Sequence, residues 1–189
     1  LKETGEIVDN CQKRPQRLFE ERELSVDECA GYLQKAINLL KLQIVASGSS
    51  EGTLKVIITV SPIRYAKYGY HGSQLSKATL LLAADKLVKE NPGVVSYFPA
   101  YEIMNDELRD YRFYKEDMLH PSEQAVESIW ERFRATYFGK AAGQFLEDWR
   151  PIREALGHKP FHPESEEHQK FIARTEEKKR QFEEKYHLL

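Results

Sequence analysis

Apolar residues recur at two different spacings, and the change of spacing divides the chain into helices and strands. From Ser25 onward they recur at helical spacing through residues 29–40, and Glu28 stands where a capping box needs it. Residues 55–61 and 94–98 are instead short β-branched or aromatic runs bounded by turn residues. The pattern therefore predicts one long helix and two buried, parallel strands.

The segments that follow the two strands are predicted from their polar and apolar spacing. Residues 64–76 are polar and Gly-rich, which predicts a loop, and Ser76 is expected to cap an amphipathic helix over 77–90. Residues 100–120 are predicted as a long aromatic loop before a helix that ends near Gly139. Strand, helix, strand and helix in this order predict parallel βαβ units, in which ligands bind beyond the carboxyl ends of the strands.

The last fifty residues have a different pattern. Residues 151–163 contain several Pro and Gly residues and are predicted to be irregular, whereas 165–186 predict a highly charged helix with sparse apolar positions. Such a helix is expected to lie solvated on the domain or against a partner. The predicted domains are 1–139 and 140–189.

Charge and composition exclude several classes of function. The net charge of −2 offers no basic field for nucleic acid, and the apolar runs are too short to span a bilayer. Cys11 and Cys29 belong to no metal-binding motif, so neither a metal nor another cofactor is expected, and a reducing cytoplasm is the expected location. The chain begins with Leu1 rather than Met, which leaves upstream sequence open.

The strongest chemical signal is an Asp three residues before a His. Asp117 and His120, followed by Pro121, lie on the predicted loop that enters a helix. An Asp that orients a His provides two members of a Ser-His-Asp triad, with the His as general base. The alternative is that Asp117 caps the helix beside an exposed His.

Other residues are candidates for binding substrate or an oxyanion. Arg64 follows the first strand. Arg109 and Arg112 are each able to bind an anionic group bidentately, unless Arg109 pairs with Asp106 or Asp110 in a packed loop. His71 is expected on the loop after the first strand, and the Asn10 amide is able to donate to an oxyanion.

No residue clearly supplies the nucleophile. Ser61 ends the first strand, but no Gly-x-Ser-x-Gly elbow surrounds it, and a structural role before Pro62 is favoured. Cys11 has no local activating group.

Several blocks together resemble the GSCFA family. They are residues 5–11, 61–64, 71–78, 97–103, 108–114 and 117–122, and the resemblance covers most of 4–163. That family is similar to the SGNH (GDSL-like) hydrolases. The resemblance therefore implies a three-layer α/β sandwich with a parallel sheet and a Ser-His-Asp esterase site in which Asp117 and His120 are two of the members.

The resemblance also implies that part of the family's domain lies outside this chain. The Gly-Ser-Cys-Phe-Ala block that would bear the nucleophile belongs upstream of Leu1, as do the first strands of the sheet. The chain is therefore expected to be a C-terminal portion, or the product of a truncated gene, and its open sheet edge predicts self-association. Gln12, Tyr65 and Ser73 depart from the residues expected there, which suits a divergent or decaying enzyme.

Three functions follow from these patterns. The first is a hydrolase acting on a small-molecule or carbohydrate ester, such as an acetyl group on a carbohydrate or lipid. The second is a domain that binds a ligand at the same edge without turnover. The third is an interaction protein that uses the charged helix over 165–186.

Overall fold

The chain forms two compact units. The computed structural model describes residues 1–8, 11, 13–48 and 54–188, and its units are Leu1–Ala125 and Val126–Leu189. The helices and strands of these ranges are, in chain order, α1 (Val26–Ala46), β1 (Val56–Ile58), α2 (Gly69–Glu90), β2 (Val95–Tyr97), α3 (Ala100–Glu102), α4 (Glu123–Tyr137), α5 (Lys140–Leu156) and α6 (Glu166–Lys185). The division predicted from the sequence, 1–139 and 140–189, stays a prediction.

The first unit is built on a small parallel sheet. β1 and β2 pair with Val56 opposite Val95 and Ile58 opposite Tyr97, while α1 packs on α2 and α2 packs on β2. Apolar side chains that leave water drive this packing. The buried cluster consists of Ala30, Ile37, Ala83, Leu87 and Val95.

The predicted mixed α/β class and parallel strand pairing are confirmed, but the strands are shorter than predicted. The chain is mostly helical, and the sheet of the described residues has two strands. A three-layer, SGNH-like sandwich is therefore not shown. Pro62 and Pro99 follow the strands and lack the N–H donor that a longer ladder would require.

The start of α1 was predicted correctly. Glu28 N–H donates to Ser25 Oγ at 3.2 Å, and Ser25 N–H donates to Glu28 Oε2 at 2.9 Å, which completes the capping box. Hydrogen bonds from Ser25 lower the pKa of the Glu28 carboxyl, first from its backbone N–H and then from its hydroxyl.

The predicted loop over 64–76 is wrong in its second half. α2 begins at Gly69, so Ser76 lies inside the helix rather than at its cap, and His71 is in the first turn. Gly69 has a φ of 71°, a conformation that glycine adopts without strain. At Gly72 a Cβ atom would come within 2.8 Å of Tyr68 Cβ, so this glycine permits close packing inside the helix rather than ending it.

The predicted loop over 100–120 also contains helical turns. α3 continues into a π-helix over Ile103–Leu108, in which Ile103 and Met104 are buried. Arg109 ends that helix in the left-handed region with a φ of 32°, and its N–H donates to Met104 O at 3.3 Å. A short 3-10 turn at Tyr111–Phe113 follows.

The second unit is helical. α5 runs through Pro151 to Leu156, so the prediction that residues from 151 onward are irregular is wrong for its first part. Proline removes one helical hydrogen bond, and burial of the adjacent Ile152, which is 3% exposed, offsets that loss.

The charged helix predicted over 165–186 is present as α6. Ser165 Oγ accepts from His168 N–H at 3.2 Å and caps its start. Phe182 packs edge-on against Phe145, with 4.9 Å between the ring centroids, and is 6% exposed. This apolar position of α6 therefore packs against α5.

Candidate active site at the carboxyl edge of the strands

Three loops meet where the two parallel strands end, as the topology predicts. Arg64 N–H, after β1, donates to Leu119 O at 3.0 Å in the loop before α4. Arg64 also lines a cleft together with Arg109, which follows β2. The loops expected to share one edge are therefore held together there.

The loop that carries Asp117 is shaped like a narrow hairpin. Tyr114 pairs with Pro121 in an antiparallel bridge, Ser122 N–H donates to Phe113 O at 2.7 Å, and Lys115 N–H donates to His120 O at 2.8 Å. Met118, at the tip, has a φ of 59°, which is unusual for a residue with a side chain. Hydrogen bonds on both sides of the tip hold this conformation.

The Asp117 carboxylate uses both of its oxygens. Oδ1 accepts from the N–H groups of Leu119 and His120 at 2.8 and 3.0 Å, and Oδ2 lies 2.6 Å from His120 Nδ1. These partners lower the pKa of the Asp117 carboxyl to about 2, first through His120 N–H, then Leu119 N–H, then the imidazole. Asp117 therefore shapes the loop and orients the imidazole.

The His120 ring is oriented for proton transfer. An ionised carboxylate can only accept a hydrogen bond, so Nδ1 carries the proton and Nε2 presents a lone pair. The side chain of His120 is 52% exposed, and no described residue is hydrogen-bonded to Nε2. This nitrogen is therefore free to accept a proton from a reacting group.

A different residue caps the helix that follows. Ser122 Oγ accepts from Ala125 N–H at 3.3 Å, immediately before α4 begins at Glu123. Asp117 thus bonds to the backbone of its own loop and not to the helix terminus. The alternative predicted for Asp117 is therefore correct in the exposed His beside it and wrong in the helix cap, which Ser122 provides.

The cleft beside this loop is lined by cations and aromatic rings. It has a volume of about 190 Å³ and is lined by Arg64, Met104, Asn105, Arg109, Asp110, Tyr111 and Tyr114. The Arg64 guanidinium carbon lies 4.0 Å from the centroid of the Tyr114 ring, a cation–π contact. Asp110, one of the possible partners of Arg109, instead pairs with Arg112, with 3.6 Å between Oδ2 and Nε.

The remaining predicted residues lie elsewhere or have other partners. His71 is exposed on α2, and its role in binding stays a prediction. Ser61 Oγ accepts from Ile63 N–H at 3.3 Å, and Cys11 Sγ lies 3.6 Å from Gln16 Oε1. Asn10 lies outside the described residues, as does Gln12.

Lys77 is a residue of this edge that the sequence patterns did not identify. It is 8% exposed, its Nζ donates to Ser61 O at 2.6 Å, and it lies 5.8 Å from the centroid of the Tyr101 ring. Burial lowers the pKa of its ammonium group. The sequence offered one signal for Lys77, its position after Ser76 in the 71–78 block that resembles the family. The start of the helix that carries Lys77 was predicted wrongly, so its position relative to Ser61 was not foreseen.

Two further contacts support the same edge. Tyr97 OH donates to Glu102 Oε2 at 2.9 Å, and burial, followed by this bond, raises the pKa of the Tyr97 phenol. Tyr65 N–H donates to Ser73 Oγ at 3.2 Å, so two of the three departures from the family pattern contact each other.

Neither a metal-binding cluster nor a membrane-spanning helix is present in the described ranges. Among residues 1–8, 11, 13–48 and 54–188, no group of three or more His, Cys, Asp or Glu side chains is arranged to hold a metal ion. The helices of the same ranges include none with the length and apolar character that a bilayer crossing requires.

Comparison with known families agrees with the motifs. The model of the GSCFA family matches residues 1–133, and the model described as the C-terminal domain of GSCFA domain proteins matches residues 149–189. Because the first match begins at residue 1, the expectation that the chain holds only a C-terminal portion of that domain is not borne out. Neither a curated protein nor a solved structure matches the chain. With about two thirds of its residues covered by the first model, the chain belongs to the GSCFA family.

Proposed function

We propose that this chain carries the His–Asp pair of a serine esterase or acyl hydrolase of the SGNH type. The observation that carries the proposal is the 2.6 Å contact between Asp117 Oδ2 and His120 Nδ1, with Nε2 left without a partner among the described residues. A His held in this way is a general base, and proton transfer by such a group typically contributes about 10²–10⁴-fold to the rate.

In this mechanism, His120 Nε2 removes the proton from a serine hydroxyl as the oxygen attacks the ester carbonyl. Asp117 stabilises the imidazolium that forms, and the imidazolium then gives its proton to the departing alcohol. Water hydrolyses the acyl-enzyme in the same way, with His120 again as the base. The reaction requires no cofactor.

The serine is supplied, in this proposal, by sequence outside this chain. Ser61, after β1, and Ser122, two residues after His120, are the serines considered at this edge. Ser61 Oγ accepts from Ile63 N–H and Ser122 Oγ accepts from Ala125 N–H, so both hydroxyls have structural partners. The family resemblance supports the same inference, because its Gly-Ser-Cys-Phe-Ala block is not present in this sequence.

The substrate class in this proposal is an ester, such as an acetyl group on a carbohydrate or lipid. The support for an ester comes from the triad chemistry and the family resemblance, and the acetyl group is an analogy with hydrolases of similar type.

The second candidate function is a ligand-binding domain without turnover. It is favoured by the absence of a serine or cysteine hydrogen-bonded to His120 in the described part of the chain. The departures in sequence at Gln12, Tyr65 and Ser73 favour it as well. In this alternative the Asp117 loop has a purely structural role.

Labelling and turnover with the natural full-length protein test the two candidates. We expect a fluorophosphonate probe to label it and His120→Ala to slow hydrolysis of 4-nitrophenyl acetate by about 10²–10⁴-fold. The control His162→Ala removes an exposed His of the second unit and is expected to leave turnover unchanged.

Each outcome decides between the candidates, provided that circular dichroism shows the variants to be folded. Labelling together with full turnover in His120→Ala would contradict the role of His120. No labelling and no turnover in the wild type would favour the binding domain.

A further inference from the structure

We infer that the cleft between Arg64 and Arg109 binds an anionic group, a carboxylate or a phosphate, of the molecule that reaches His120. The identification of that molecule as a substrate rests on the proposed function, whereas the binding of the anion does not. The inference depends on the position of the two arginines, on their free hydrogen-bond donors and on the local charge.

Arg64 is held with most of its donors free. Its backbone N–H is bonded to Leu119 O at 3.0 Å, and the ring of Tyr114 supports its guanidinium from one face. The side chain makes one long hydrogen bond, 3.5 Å from Nη1 to Met118 O. A guanidinium has five N–H donors, so Arg64 keeps several for a ligand without having to be reoriented.

Arg109 faces the same cleft from the segment after β2. It is the residue at which the π-helix ends, and its backbone N–H is bonded to Met104 O. No described residue forms an ion pair with its side chain, although Asp106 and Asp110 are close in sequence. The guanidinium of Arg109 is therefore available for a bidentate, charge-assisted bond to an anion from solution.

The acidic residue of the cleft does not cancel this charge. Asp110 Oδ1 accepts from Arg112 N–H at 2.9 Å, and its Oδ2 lies 3.6 Å from Arg112 Nε. The carboxylate is thus already engaged by an arginine outside the cleft lining. Arg64 and Arg109 therefore leave an excess of positive charge, which favours an anionic ligand.

The neutral lining restricts what the ligand can be. Asn105 Nδ2 donates to Tyr101 O at 2.7 Å. The side-chain oxygen of Asn105 remains able to accept a hydrogen bond from a neutral donor such as a hydroxyl group. The rings of Tyr111 and Tyr114 add apolar surface. The volume of about 190 Å³ suits a small acidic group together with a few attached carbon atoms, rather than a long chain.

The cleft is connected to the His–Asp pair through the backbone of one loop. Leu119, whose carbonyl accepts from Arg64 N–H, is the residue before His120, and its own N–H donates to Asp117 Oδ1. One rigid segment therefore connects the anion-binding arginine with the residue proposed as general base. A ligand anchored at the arginines would be held against the same loop that carries His120.

Binding of inorganic anions to the 189-residue chain tests the inference without turnover. The probes are inorganic phosphate and, in a separate arm, acetate, both titrated at constant ionic strength with chloride. We expect amide and Arg Nε–H NMR signals of residues 64 and 104–114 to shift saturably. The tighter of the two probes identifies the anionic group.

Matched charge-removing variants locate the site. Arg109→Gln and Arg64→Gln are each expected to weaken binding by about tenfold or more, the value of one charged hydrogen bond. The control Arg17→Gln removes the same charge from an exposed position in the same unit and is expected to leave binding unchanged. Equal weakening in all three variants, or no saturable shift, would overturn the inference.

Turnover by the full-length protein then links the anion to the substrate. We expect Arg109→Gln to raise KM about tenfold for an ester that carries a free carboxylate, such as mono-4-nitrophenyl succinate, with kcat preserved. KM for the neutral 4-nitrophenyl acetate is expected to stay unchanged. An equal change in KM for both esters would contradict the role of Arg109. If the wild-type protein hydrolysed neither ester, that result would contradict the proposed function and not the binding of the anion.

Discussion

Two aspartates in different units of this protein have the same lowered pKa but different partners. Asp117 in the first unit and Asp148 in the second each have a carboxyl pKa of about 2. At Asp117 the largest causes are backbone N–H groups. At Asp148 the largest causes are the side chains of Lys185 and Tyr186, with Gln144 as the third donor.

The two sites differ in what their partners leave free. Lys185 Nζ and Tyr186 OH lie 2.5 and 2.7 Å from Asp148 Oδ2, and they tie the end of α6 to α5. The partner of Asp117 is an imidazole whose second nitrogen has no partner among the described residues. A perturbed pKa therefore does not by itself identify a functional site, and a reactive atom left free beside it is the more informative feature.

The largest expected effect separates the two aspartates by activity. Asp117→Asn removes the charge that stabilises an imidazolium. The new amide NH2 group can also donate to Nδ1, which places the proton of the neutral imidazole on Nε2, so that this nitrogen cannot act as a base. In the full-length protein we expect ester turnover to fall by about 10²–10⁴-fold, as in other triads. Asp148→Asn is expected to leave turnover unchanged and to lower the unfolding temperature, because it weakens the contact between α5 and α6.

Steady-state kinetics and thermal unfolding of both variants provide the measurement. If Asp148→Asn reduced turnover as much as Asp117→Asn, the contrast between a structural and a functional aspartate would be wrong.

A smaller effect is expected at the buried lysine that supports the candidate site. Lys77→Met keeps the length and apolar stem of the side chain but removes the bond to Ser61 O. We expect the free energy of unfolding of the first unit to fall by about 1.5 kcal/mol, the lower end for a charged hydrogen bond, because Ser61 is exposed and its carbonyl regains water.

Urea unfolding of the 189-residue chain is the measurement. Lys89→Met, on the same helix, removes an exposed i,i+4 pair with Asp85 and is the control, with little change expected. If Lys77→Met and Lys89→Met lowered the free energy of unfolding equally, the bond from Lys77 to Ser61 O would contribute no more to stability than an exposed ion pair.

Local sequence patterns predicted the parts of the site that depend on neighbouring residues. The Asp117–His120 contact and the Ser25–Glu28 capping box each join residues three apart, so their geometry follows from a single turn of chain. The common edge of Arg64 and Arg109 was predicted for a different reason, since parallel strands place the loops after them on one side.

The parts that were missed depend on contacts between distant residues. Gly72 resembles a helix breaker until Tyr68 is seen packed against it, and the start of α2 was therefore placed too late. Lys77 resembles a solvated helix residue until the carbonyl of Ser61 is seen beside it. Pairing of the strands was predictable, but their length was not, because it depends on how many neighbours each strand finds.

The smallest expected effect separates the two aspartates by their response to acid. Each carboxyl has a folded-state pKa of about 2, below the usual 3.8, so its contribution to stability is present above about pH 4 and is lost as the pH falls toward 2. Lys185→Met removes the largest cause at Asp148, and we expect its pKa to rise toward 3.8. His120→Ala keeps the backbone N–H groups that are the largest causes at Asp117, so its pKa should stay well below that value.

Carbon-13 NMR titration of the aspartate carboxyls in both variants measures this difference directly. A rise of the Asp117 pKa to its usual value in His120→Ala would mean that the imidazole, and not the loop backbone, maintains the turn. The two aspartates would then be alike in cause as well as in pKa. A low pKa retained at Asp117 would instead mean that the loop backbone holds the carboxylate in place without the imidazole. The carboxylate would then be preorganised to orient a general base.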